Sequence, residues 1–228
     1  KGVGDSVAAW RTVLVGSTGA GGKGYFALDV ENPAAMGENK VLWEFPNPGV
    51  LAVDADELGL AIGQASIVLG ENGQWLAIFG NGYNSKSQKA QLFIVDLETG
   101  KLVKRIDTGV GSTADPNGLA TPLANDTDQN GGVDLIYAGD MYGNLWKFNL
   151  SGSNTSSWGI PFGSGSTPQP LFKASYSTVR QPITAKPQAA RNPKGGVIVY
   201  FGTGQFFEIG DQGDKSVQSF YGIIDKCG

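Results

Sequence analysis

The chain has 228 residues, 35 of them glycine, with a formal net charge of −4 and a sequence pI near 4.8. An acidic chain lacks the electrostatic footprint of a nucleic-acid binder, and no apolar run approaches the roughly 20 residues a membrane helix needs. Histidine is absent and Cys227 is the one cysteine, which removes the commonest general base, histidine-based metal sites and an internal disulfide.

The length suits one large β domain or two small ones. The first residue is Lys1, so the chain reads as a piece of something longer. Val7–Gly16 ends in a β-branched run closed by glycine and predicts a buried strand. Tyr25–Val30 is its partner after a Gly-rich turn, and Val41–Phe45 follows a loop over Asn32–Asn39. Pro46–Asp56 is expected to be a long irregular connection. The pattern then recurs. Ala65–Leu69, the turn Glu71-Asn72-Gly73, Trp75–Gly80, Gln91–Leu97 and Lys101–Asp107 predict four strands. A third set has Leu135–Gly139, Leu145–Leu150 and a closing strand at Leu171–Ser175, with Ser151–Ser166 expected as a mobile loop. A fourth has Pro182–Ala190, Val197–Thr203 and Ser219–Asp225.

The third set starts near Ala120 and runs through the stretch with the clearest chemistry, Asn125–Asp134. Asp126, Asp128, Asn130 and Asp134 fall at positions 1, 3, 5 and 9 of a D-x-D-x-N-x-G-x-D loop. Gly131 takes position 6, where a calcium loop turns sharply, and Gly132 takes position 7, where a backbone carbonyl serves as ligand. Three carboxylates, one amide oxygen and one carbonyl suit Ca²⁺ better than Zn²⁺ or iron. Position 12 is Tyr137, so the bidentate Glu of a helix–loop–helix hand is missing, and Asp134 is the expected bidentate ligand. The bland reading is an Asx-rich turn without metal.

The units lie near residues 7–56, 60–110, 118–176 and 180–228. A period of about 50 residues with four short strands per unit is the pattern of propeller blades, and about four fit here. The expected fold is all-β: a partial β-propeller, preferred to a sandwich because the unit recurs. Its open edges are expected to promote association.

With the blades in view, WRTVLVGSTGAGGKGYFALDV, VLWEF, WLAIFGNGYNS, LFIVDLETGKLVKRIDTG, YAGDMYGNLWKFNL and VIVYFGTGQFFE are together very similar to the C-terminal domain of PilC/PilY-type proteins. These are the tip adhesins and biogenesis factors of Gram-negative type IV pili. The resemblance covers nearly the whole chain. It implies a modified β-propeller of the quinoprotein type, with calcium on Asp126, Asp128, Asn130, Gly132 and Asp134. It also implies minor pilins as partners, a possible host surface ligand, and a place at the pilus tip, extracellular and outer-membrane-associated. Calcium would then bear on extension, retraction and twitching motility, as a structural and regulatory clamp and not as a catalytic centre.

Two other readings compete. Ile94–Lys101 resembles the docking motif of quinoprotein dehydrogenases, but Lys104 stands at its tryptophan position and a cysteine pair is absent. A plain protein-binding propeller would use loops Lys86–Ala90, Ser151–Ser166 and Gly210–Lys215. Asp54, Asp56 and Glu57, and likewise Asp211 and Asp214, read as solvated loop charges before second cation sites. Asp140 is expected to cap a hairpin turn. Trp10, Trp43, Trp75 and Trp146 are expected in the core between blades, and Trp158 either contacts a partner or folds back on the sheet. Arg180 and Lys186 receive no chemistry, and Cys227 is expected to be a free thiol.

Overall fold

The computed structural model describes residues 11–164 and 167–226; Trp10, Cys227 and the start of the Val7–Gly16 run lie outside them. Four antiparallel sheets follow one another along the chain. The first has β1 (Val13–Ser17), β2 (Tyr25–Asp29) and β3 (Val41–Phe45) in sequential order. The second has β4 (Ser66–Leu69), β5 (Trp75–Gly80), β6 (Lys89–Asp96) and β7 (Leu102–Gly111), also sequential. The third pairs β8 (Leu123–Asn125), β9 (Leu135–Gly139) and β10 (Asn144–Asn149). A small hairpin, β11 (Gly163–Ser164) with β12 (Thr167–Pro168), then leads to β13 (Phe172–Lys173) on the far side of β10. After a second hairpin, β14 (Ser175–Tyr176) with β15 (Val179–Arg180), the fourth sheet has β16 (Gln188–Arg191), β17 (Val197–Gly202) and β18 (Phe220–Asp225). This is the meander of successive propeller blades.

The two faces of each inner sheet pack against different neighbours, as the period-2 alternation of a strand requires. On β5 and β6, Ala77, Phe79, Phe93 and Val95 face the first sheet and join Tyr25, Trp43 and Phe45. Leu76, Ile78, Leu92 and Ile94 face the other way and join Ile136, Ala138, Trp146 and Phe148 of the third sheet. Leu135, Tyr137 and Leu145 turn from the third sheet toward Val197, Val199 and Phe201 of the fourth. Strands covered on both faces need unbroken apolar runs, which explains WLAIF and LFIV. Each large side chain so buried contributes about 1.5–3 kcal/mol.

Polar links tie neighbouring sheets at their seams. Trp43 Nε1 donates to the Leu97 carbonyl at 2.8 Å, and its ring lies against Gly100, where a Cβ would come within 2.6 Å of Cγ. Gly100 has φ +68, and Asp96 caps its turn by accepting from the Thr99 N–H and hydroxyl. The Asp96–Thr99–Gly100 motif is therefore a seat for a tryptophan from the preceding sheet. Lys104 has the matching role at the next seam, where its Nζ donates to the carbonyls of Thr155 and Ser156 at 2.6 and 2.9 Å.

Several expectations need correction. The irregular connection over Pro46–Asp56 contains one helical turn, α1 (Ala52–Ala55). The strand expected from Pro182 begins only at Gln188, because Pro182 and Pro187 have no N–H for a ladder. Trp43 and Trp146 are buried, but Trp75 is 44% exposed, because it opens β5 at the mouth of a hairpin, past the packed seam. Trp158 folds back, 2% exposed, with its Nε1 donating to the Gly152 carbonyl, so the loop after residue 150 is packed down on the third sheet. The acids of the Asp54–Glu57 cluster have protein partners. Asp54 pairs with Arg105 at 2.8 Å and Asp56 with Lys86 at 2.6 Å, while Glu57 accepts from Ser87 and Gln91.

Candidate metal centre

Residues 126–134 connect β8 to β9, and backbone amides orient nearly every side chain in the loop. Asp126 accepts from the Gln129 N–H at 2.7 Å with one oxygen and from the Gly131 N–H at 2.8 Å with the other. Gln129 and Gly131 have φ of 63 and 96, so the chain coils tightly around Asp126, with glycine at the turn the spacing predicted. Asp128 accepts from the Asn130 N–H at 3.0 Å, and Asn130 Oδ1 accepts from the Gly132 N–H at 2.7 Å. Asp134 is buried, and its Oδ2 accepts from both the N–H and the hydroxyl of Thr127 at 2.7 and 2.6 Å.

Asp128 and Asp134 are brought together, and a carboxylate that sequence reasoning missed joins them. Glu71, Asp128 and Asp134 each place an oxygen within 4.8 Å of the others. Glu71 belongs to the β4–β5 hairpin of the second sheet and, along the chain, is only the first residue of an E-N-G turn. That turn is held to the loop by a hydrogen bond from the Val133 N–H to the Leu69 carbonyl at 2.8 Å, next to a bridge between Gly70 and Val133. Asn130 Nδ2 donates to Glu71 at 3.0 Å and to Asp128 at 3.1 Å. Asp126 is not in the close set; both of its oxygens serve loop amides.

The donors fit a hard cation. All are oxygens, and the neutral Asn130 amide here donates hydrogen bonds from its NH2 to two of the carboxylates. Three carboxylates this close repel by roughly 1–3 kcal/mol per pair, depending on how much water screens them. Gly132 lies beneath the Glu71 carboxylate: a Cβ there would come within 2.4 Å of Glu71 Oε1 and push that side chain aside.

Behind the loop a cavity of ≈ 220 Å³ is walled by Thr127 and Asp134 on one side and by Lys147, Ser151 and Phe162 on the other. Lys147 Nζ lies 5.6 Å from the Phe162 ring centre. A second cavity, ≈ 600 Å³, opens between the first two sheets beside Trp43, Asp54 and Lys101.

At the opposite end of the third sheet, Asp140 caps its hairpin turn and does more. It accepts from the Tyr142 and Asn144 N–H groups and from the side chains of Asn117, Asn144 and Trp146. Burial raises its pKa, and those side-chain donors pull the other way. The candidate partner loops do not form one face. Residues 86–88 and 210–215 lie at the Asp140 end, where Tyr83 stacks on Phe207 at 4.4 Å, whereas 151–164 lies beside the cation loop. Successive hairpins of a meander alternate ends, which sequence spacing alone did not resolve. Arg180, which received no role from the sequence, stacks 3.8 Å over the Tyr142 ring and pairs with Asp115. Asp211 accepts from Gln205, Phe207 and Glu208, and Asp214 from Ser216.

Residues 2–228 match the family model described as the PilY1 beta-propeller domain. The chain is 45% identical over 227 residues to a type IV pilus biogenesis factor PilY1 homolog of Xylella fastidiosa, covering 95% of this chain and 15% of that protein. It is 41% identical over 239 residues to type IV pilus biogenesis factor PilY1 of Pseudomonas aeruginosa PAO1, covering 96% of this chain and 19% of that one. The crystal structure of the Pseudomonas aeruginosa PilY1 C-terminal domain superposes with a TM-score of 0.84 at 39% identity, covering 96% of this chain and 46% of the crystallised one. The chain thus spans less than a fifth of the length of these two curated relatives.

Proposed function

The chain belongs to the PilY1 β-propeller family, and from that membership we propose that it is a calcium-binding segment of a type IV pilus biogenesis factor. The carrying observation is the 126–134 loop, whose Asp128 and Asp134 offer oxygens within 4.8 Å of one another while backbone amides fix their orientation. Asp128, Asp134, the Asn130 amide oxygen and the Gly132 carbonyl are the ligands, and Asp126 shapes the loop and contributes its charge. Asn130 must turn its amide to present oxygen in place of the nitrogen that now bridges the carboxylates. When bound, the cation supplies the positive charge that offsets the carboxylate repulsion.

In this reading the propeller works at the pilus tip, outside the cell and near the outer membrane, with minor pilins as partners and a host surface ligand as a second possible target. Calcium then modulates pilus extension, retraction and twitching through the rigidity of the third sheet. The Asp96–Thr99–Gly100 motif that prompted the dehydrogenase alternative seats Trp43 between the first two sheets, a structural role that by itself brings no cofactor. Calorimetry with Ca²⁺ tests the proposal: one site in the wild type and none in Asp134→Ala. In the bacterium, the same change in the full-length protein should remove the calcium dependence of surface piliation. Equal calcium binding by both proteins would remove the loop from the account.

A further inference from the structure

We propose that Glu71 is a ligand of the same cation, so that metal binding fastens the second sheet to the third. The inference rests on the calcium reading of the 126–134 loop and adds a donor from outside it. Two oxygens bound to one Ca²⁺ at 2.3–2.6 Å lie at most about 5 Å apart. The oxygens of Glu71, Asp128 and Asp134 meet that condition at 4.8 Å. Glu71 is also held in place. Its turn is pinned by the Val133–Leu69 hydrogen bond, and its Oε1 fills the space over Gly132 that a side chain there would take.

The loop has a reason to recruit it. Calcium takes 6–8 oxygens, and Asp128, Asn130, Gly132 and Asp134 offer four, or five with Asp134 bidentate, because position 12 of the loop is Tyr137. Tyr137 is committed elsewhere: its hydroxyl donates to Asp225 at 2.7 Å across the seam to the fourth sheet. Glu71 brings the missing carboxylate from the neighbouring sheet. The calcium loop thereby becomes a staple between blades, where a self-contained loop would leave the seam untouched.

Glu71→Gln tests this, since it removes the charge, keeps a hydrogen-bonding partner for Asn130 and sits at a partly exposed hairpin turn. Titrations with Ca²⁺ would compare wild type, Glu71→Gln and Asp134→Ala, and amide exchange at Val133 would report on the seam. The expected result is binding at least tenfold weaker in Glu71→Gln, with calcium slowing Val133 exchange in the wild type and not in this variant. Unchanged affinity and unchanged calcium protection of Val133 in Glu71→Gln, while Asp134→Ala loses binding, would overturn the Glu71 assignment and leave the loop reading intact. A wild type that binds no calcium would overturn both. Matched melting temperatures of the two proteins in chelator establish that the change acts on the metal and not on folding.

Discussion

Lys147 on β10 and Asp225 on β18 form an ion pair at 2.7 Å with side chains only 4% and 2% exposed. The Tyr137 hydroxyl donates to the same carboxylate oxygen, so one acid from the fourth sheet holds two residues of the third. Desolvating two charges is costly, and a pair this buried survives only with good geometry and added hydrogen bonds. Asp225→Ala removes the carboxylate that faces the buried Lys147 ammonium and should cost about 3–5 kcal/mol in urea unfolding. Lys147→Met combined with Asp225→Leu should recover most of that loss. A double variant no more stable than Asp225→Ala would show that the pair acts through something other than its charges.

The Trp43–Gly100 contact gives a second expectation. Gly100→Ala forces a Cβ into the indole at 2.6 Å on a residue with φ +68. Overpacking costs about 1–3 kcal/mol and the left-handed backbone about 1–2 more. Chemical denaturation should register a loss of that order, with tryptophan fluorescence shifted to the red as Trp43 loosens. A neutral change would mean that the seam yields more easily than its geometry implies.

Calcium should act on stability by mass action. At a free concentration one hundred times its Kd, a ligand that binds only the native state adds about 2.7 kcal/mol. Addition of chelator should therefore lower the melting temperature of the wild type and leave that of Asp126→Ala unmoved. A chelator shift that persists in the variant would place the effect at another site.

The Asp115–Arg180 pair predicts a small pH effect of known sign. Hydrogen bonds from Arg180 and then Tyr142 hold the Asp115 carboxyl below its ordinary value. A depressed folded-state pKa gives stability that is present above the unfolded value, near 3.9, and lost as pH falls through the folded one. Both side chains are about half exposed, so the contribution stays under about 1 kcal/mol. The stability gap between wild type and Asp115→Asn should be open at pH 6 and narrow as pH falls below the ordinary carboxylate value, near 3.9. A gap that is constant with pH would dissociate it from the Asp115 proton.

Much of this protein was legible in its sequence because the controlling signals are local. The apolar run Trp75–Gly80 predicts a strand at its observed position, since a strand covered on both faces must be apolar throughout, and the run Val197–Thr203 predicts the strand Val197–Gly202, which buries one face only. The recurrence of the unit pointed to blades, and the Asp–Asn–Gly spacing from Asp126 to Asp134 laid out a coiled loop with glycine where φ turns positive. Contacts between blades were not legible. Glu71, Lys104, Arg180 and Asp225 each look like an ordinary turn or surface residue along the chain. Their partners lie in a different sheet or in the loop leading to one, and only the register of one sheet against the next brings them together. Local spacing determines which residues coil or extend; how the sheets stack decides which charges meet, because strand pairing and side-chain packing act across dozens of residues that no local pattern records.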